Sequence, residues 1–313
     1  MGFQFEDSGI AASIYLALYT IYLIATIKIV YDKGWRSIYT SLLIFGIFRV
    51  CGQLCGVAFA KLGYKHYQWL IAYLVFSAEG YFTLILTSFH LIAHAQIQTS
   101  GSSWIRPTKK QKKQMIRDAK TWREQLQAKI PITTIFHWLL IPANAFIIAG
   151  GSMLTGQTPG NMDQNVVHTS KALRTTGQII FLLQTCIAIG LAVFVYAFQN
   201  LRHSNIYSIF LTSPFILVRG IFGILSIYLT KMNYYDMSNY TENGLNPHFV
   251  IYEYVLATTM EFITGVIYIS NYYFDKKYSR RCTDDQLSII SDEKEDENDT
   301  VSPIEKMETH SKA

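Results

Sequence analysis

Seven apolar runs of about 22 to 30 residues, separated by polar stretches, dominate this chain. A helix needs about 20 apolar residues to cross the roughly 30 Å hydrocarbon core of a bilayer. The runs therefore predict transmembrane helices over Gly9–Tyr31, Ile38–Ala60, Gln68–Ile97, Ile132–Leu154, Thr175–Leu201, Tyr207–Thr230 and Phe249–Phe274. The expected fold class is an all-α membrane protein of seven transmembrane helices. Residues 1–8 form a short exoplasmic amino terminus, 9–281 the seven-helix domain with a basic amphipathic inner loop at 98–131, and 282–313 a disordered acidic cytosolic tail. The first run is too long for the core of a cleaved signal peptide and has no positive start, so it reads as a retained signal-anchor.

Charge between the runs gives an orientation. One set of loops carries Lys33, Arg36, nine basic residues from Arg106 to Lys129, Arg202, Lys276, Lys277, Arg280 and Arg281, and the other carries Lys61, Lys65, Lys171, Arg174 and Lys231. The positive-inside rule places the first set in the cytosol, with the amino terminus out and the carboxyl terminus in. Asn239-Tyr240-Thr241 is then an exofacial glycosylation acceptor. Cys282, after a basic cluster at the end of the last run, is a candidate for S-palmitoylation. In the long inner loop, Met115, Ala119, Trp122, Leu126 and Ile130 recur at helical spacing among Lys and Arg. Such a helix suits the anionic lipids of the inner leaflet.

Composition agrees with the hydropathy pattern. Half of the 313 residues are hydrophobic and 16 % are charged, against about 25 % charged in soluble domains. The net charge of +5 is split between the basic loop and the acidic tail and does not imply nucleic-acid binding. Cys51, Cys55 and Cys186 lie inside apolar runs and Cys282 just after the last, so no exofacial disulfide is expected. There is no phosphate-binding loop, and no cofactor is implied.

The candidate chemistry is at mid-membrane. Arg49, Glu79, Arg219 and Glu261 each stand about twelve or thirteen residues into a run, at similar depth by the helical rise of about 1.5 Å per residue. Charges there are costly when they face lipid, so they are expected to pair inside the bundle, as Arg49 with Glu79 and Arg219 with Glu261, or as one crossed cluster. The same four residues are the candidate ligand site. Pro142 and Pro214 free backbone carbonyls that could line it, and Gly52, Gly56, Gly220 and Gly223 allow close helix approach beside each arginine.

Helices 1 to 3 and 5 to 7 also resemble each other. Val30-Tyr31, Ile38-Tyr39, Ser41, Arg49 and Gly52 parallel Val195-Tyr196, Ile206-Tyr207, Ser208, Arg219 and Gly223, which suggests a three-plus-one-plus-three parallel repeat. A weaker constellation is His90, His94 and His137, three imidazoles near the inner surface that could hold zinc in an intramembrane hydrolase. Helix 3 ends in Ala93-His94-Ala95-Gln96 and helix 7 in Ser270-Asn271-Tyr272-Tyr273, without the marks of the common receptor or opsin families.

The seven spans, the Ile47-Phe48-Arg49 step, the basic inner loop and the acidic tail resemble an uncharacterised fungal family of seven-helix membrane proteins. That family is distantly similar to the RTA-like lipid-translocating exporters. The resemblance implies a carrier. The expected function is ATP-independent transport of a small amphipathic or lipid-like molecule in a plasma membrane or endomembrane. Its alternative is a receptor-like sensor signalling through the inner loop and tail.

Overall fold

The structure is a computed structural model that describes residues 3–35, 37–107, 109–119, 121–122, 132–154, 163–241 and 244–274. Seven helices are long and apolar enough to span a bilayer: α1 (Glu6–Lys33), α2 (Tyr39–Leu62), α3 (Gln68–Ser100), α5 (Ile132–Met153), α6 (Gln164–Phe198), α7 (Ser204–Tyr228) and α8 (Pro247–Phe274), with the short polar α4 (Lys109–Asp118) between α3 and α5. The protein is a multi-pass helical membrane protein. Met1–Ile269 form one compact unit, which holds every residue of the site described below. The second unit, Ser270–Ala313, is described only at 270–274, which are helical. Cys282 and the acidic tail lie outside the described residues.

Helix ends follow local chemistry. The α3 helix stops where Gly101 takes a left-handed backbone (φ 69°) and its N–H bonds Ile97 O at 3.0 Å, a conformation that costs glycine little. Asn246 caps α8, its side chain accepting from the His248 N–H at 3.1 Å, and Pro247 occupies the first helical position, where its missing N–H is no loss. The α6 helix starts eleven residues earlier than hydropathy predicts, because Asp163 accepts from the Asn165 N–H at 2.9 Å and caps a polar first segment. This extension carries Arg174 out of the loop assigned to it and into the bundle.

The α3 helix is the centre, touching α2, α5, α6 and α7. More than half of its most apolar window is buried, against 22 % for α1. Small residues set the α5–α6 crossing: Ser170 Oγ donates to Gly150 O at 2.6 Å, and a side chain at Gly177 would lie 2.5 Å from Ala143 O. Large apolar residues such as Ile21, Ile24 and Leu183 face outward, as lipid-facing positions must. The carbonyl freed by Pro214 is bonded by Ser213 Oγ at 2.8 Å, and Pro142 is exposed.

Between α7 and α8 a loop of short 3₁₀ turns and the two-residue strands β1 (Tyr240–Thr241) and β2 (Gly244–Leu245) folds back on the bundle. Asn239, the glycosylation candidate, is buried within it, and its Nδ2 donates to Thr230 O (2.5 Å) and Asn233 O (2.9 Å). Glycan addition at this nitrogen requires the loop to be open at the time. Asn239→Ala leaves both carbonyls without this donor, a cost of about 1–3 kcal/mol. The expected result is a lower unfolding midpoint of the detergent-solubilised protein, read by scanning fluorimetry.

The basic loop is anchored at its start: Ile105 is fully buried, Thr133 Oγ1 donates to Ile105 O (2.7 Å), and Ser103 Oγ donates to Gln96 Oε1 (2.6 Å). The described helix ends at Asp118, with Met115 and Trp122 exposed. Leu126 and Ile130 lie outside the described residues.

Candidate functional site

The mid-membrane charges meet, with a change of partner. Arg49 and Arg219 both bind Glu261: Arg49 Nη2 pairs with Glu261 Oε2, and Arg219 Nε donates to Glu261 Oε1 at 2.5 Å. Glu79 takes no part. It is half-buried and accepts instead from Asn144 Nδ2 of α5 at 2.5 Å. Arg49 therefore reaches across the bundle to α8 rather than to its neighbour in sequence, and the two halves of the proposed repeat do not share one ion-pairing pattern.

The surroundings hold Arg49 in place. Its Nη1 donates to Ser77 Oγ at 3.4 Å, and its guanidinium lies 6.0 Å from the ring centres of both Tyr19 and Phe45. Gly80 leaves the necessary room, since a methyl group there would lie 2.6 Å from Arg49 Nε. At 1 % exposure Arg49 is closed off, so it can neutralise and orient Glu261 but cannot touch a ligand in this state.

Arg219 differs, because one side of it opens on a cavity. Its guanidinium stacks 4.9 Å from the Tyr81 ring centre, and it lines a space of about 90 Å³ together with Ser77, Arg174, Gln178, Tyr235 and Glu253. That exceeds the roughly 10–15 Å³ one water needs. Glu253 is a second buried acidic side chain: it accepts from Tyr73 Oη at 3.1 Å and acts electrostatically on Arg219. Glu261 pairs directly with both Arg49 and Arg219, whereas Glu253 makes no ion pair with either.

A π-helical segment, Tyr254–Thr259, separates the two carboxylates. Two α-helical turns take 7.2 residues, and a π segment, whose hydrogen bonds span one residue more, accommodates an extra one. Eight residues therefore close two turns here, which puts Glu253 and Glu261 on one face. Four residues into an apolar run, Glu253 reads as an interfacial charge, and its register depends on a backbone irregularity with no composition signal.

Hydropathy places Arg174 in a loop. It is nine-tenths buried on α6, with its guanidinium 4.5 Å from the ring centre of Tyr235. Burial pushes the Tyr235 phenol above its ordinary range while Arg174 draws it down, so at neutral pH the ring offers a neutral face. Among the described residues no carboxylate lies within ion-pair distance of Arg174.

Tyr81 stands beside Arg219. Its hydroxyl hydrogen-bonds Thr185 Oγ1 at 3.0 Å, and a methyl group on Gly220 would lie 2.7 Å from that oxygen. One turn before Tyr81, Ser77 and Ala78 line the main cavity. One and two turns after it, Ile85 and Ser88 line a second, largely apolar space of about 10 Å³ that also touches Thr185, Ile209, Ile216 and Tyr268. Ser88, Tyr268 and Thr212 continue as a hydrogen-bonded chain (2.7 and 3.0 Å).

The three histidines do not form a ligand set. His90 and His137 rings are 5.9 Å apart, whereas His94 Nδ1 pairs with Asn205 Nδ2 at 3.2 Å. No group of three metal-ligating side chains occurs among the described residues. Comparison of the chain with protein-family models, curated proteins and solved structures returns no match.

Proposed function

We propose that this membrane protein is an ATP-independent carrier of a small amphipathic or lipid-like molecule. The observation that carries the reading is the cavity of about 90 Å³ lined by Arg174, Arg219 and Glu253, three buried ionisable side chains inside a membrane-spanning bundle. Ionisable groups inside a membrane mark pathways more often than they mark packing. The apolar wall formed by Ile71, Leu74 and Val75 of α3 with Ile147 and Ile148 of α5 remains half-exposed, which favours a ligand that arrives from the bilayer. Glu79 and Asn144 bridge this same seam, so Glu79 is the residue we assign to carry a proton.

The test is flux of a fluorescent single-chain amphiphile across proteoliposomes. Wild-type protein should give pH-sensitive movement several-fold above protein-free vesicles, and Glu79→Gln should fold normally but lose the pH sensitivity. No flux for any member of an amphiphile panel overturns the carrier reading. Ligand-dependent recruitment of a partner to the Lys109–Asp118 segment without flux would instead support a receptor-like sensor.

A further inference from the structure

We infer that the cavity between α3, α6 and α7 is a binding site for the anionic head of a single-chain amphiphile, with Arg174 as the recognising residue. The inference deepens the carrier reading by naming a substrate class, and it stands on a different set of contacts. Arg219 is already paired with Glu261, so it has less capacity left for a further anion. Arg174 lines the cavity, is nine-tenths buried, and among the described residues has no carboxylate within ion-pair distance, its guanidinium lying against the face of Tyr235. A guanidinium removed from water without a carboxylate is held at a cost that a matching oxyanion offsets, and its planar fork suits carboxylate or phosphate oxygens.

The rest of the pocket agrees with an anion at this end. Ser152, Ser226 and Gln178 stand along the wall, and Gln178 Oε1 is buried without a hydrogen bond, an acceptor that a water bound to the head can satisfy. Glu253, which also lines the cavity, disfavours a second anionic group there when it is ionised. The half-exposed Ile71, Val75, Ile147 and Ile148 provide a lane for a chain leading from the head toward lipid. Head and tail of one molecule therefore match the charged and apolar walls of one cavity.

The experiment is native mass spectrometry of the purified full-length protein in a neutral detergent, titrated separately with dodecyl phosphate, dodecylphosphocholine and inorganic phosphate. Dodecyl phosphate should bind one per chain and saturate, Arg174→Gln should weaken it at least tenfold, and Arg174→Lys should fall between. Ser226→Phe, which fills the cavity and keeps the charge, should block it as well, and this variant answers the question if Arg174→Gln does not fold. Equal binding of dodecylphosphocholine, equal binding of inorganic phosphate, or unchanged affinity in both Arg174→Gln and Ser226→Phe overturns the inference. Binding without flux would sink the carrier reading alone, and flux with unaltered Arg174→Gln binding would sink this inference alone.

Discussion

Glu261→Gln is expected to remove most of the folded protein. Glu261 is the single carboxylate on which Arg49 and Arg219 both close, so the neutral amide leaves two guanidinium groups in the apolar interior without a carboxylate in ion-pair contact. Breaking a buried pair by deleting one member costs about 3–5 kcal/mol, and here two pairs are lost at once. Domains are stable by only about 5–15 kcal/mol, so the loss is a large share of the total. The comparison that isolates the effect is Glu79→Gln, where the partner is Asn144 and no buried cation is orphaned. That change should cost at most about 1 kcal/mol. Urea or SDS unfolding of both variants in detergent, beside wild type, checks the pair of outcomes. Equal stability of the two variants would contradict the observed exchange of partners.

A second large loss is expected at the α5–α6 crossing. Gly177 faces the backbone of α5, and even a single methyl group there would stand 2.5 Å from Ala143 O and 2.6 Å from Ile147 Cγ1. A carbonyl oxygen cannot turn aside as a side-chain tip can, so Gly177→Val must push the two helices apart. Overpacking costs about 1–3 kcal/mol in ordinary cores. The consequence is greater in a bilayer, where helices associate through close packing rather than through burial from water. The separation would also shift Arg174, one turn away on α6, relative to Tyr235. The expected result is reduced yield of monodisperse protein with a lower unfolding temperature. Gly190 on the same helix has open space around it, so Gly190→Val should be nearly neutral and serves as the control.

The resemblance between the two halves of the chain shows how far a sequence pattern can carry. Equivalent arginines do lie in α2 and α7, and both are buried and paired. Pairing by analogy, Arg49 with Glu79 as Arg219 with Glu261, nevertheless misassigns one partner. Sequence proximity favours the carboxylate on the next helix, whereas Arg49 projects toward the bundle centre, where α8 supplies Glu261 and Gly80 clears the way. Glu79, on the other side of α3, meets α5 instead. The burial of Glu253 and Arg174 is invisible to hydropathy for a related reason. Both stand near the ends of apolar runs, where a charge ordinarily reaches water, and their burial comes from the π segment in α8 and the capped extension of α6.

The amino-acid sequence by itself determined the class of protein: seven apolar runs of bilayer length admit a spanning helix bundle, because within lipid every backbone polar group must be bonded inside its own segment. It also determined that Arg49, Arg219 and Glu261 would lie inward, because leaving them in lipid costs too much. Only the tertiary structure decided who binds whom, where the cavity lies and which side chains face it. Hydropathy records how far a residue stands along the membrane normal, whereas pairing depends on rotation about each helix axis, set by glycine contacts, caps and one widened turn contributed by distant parts of the chain.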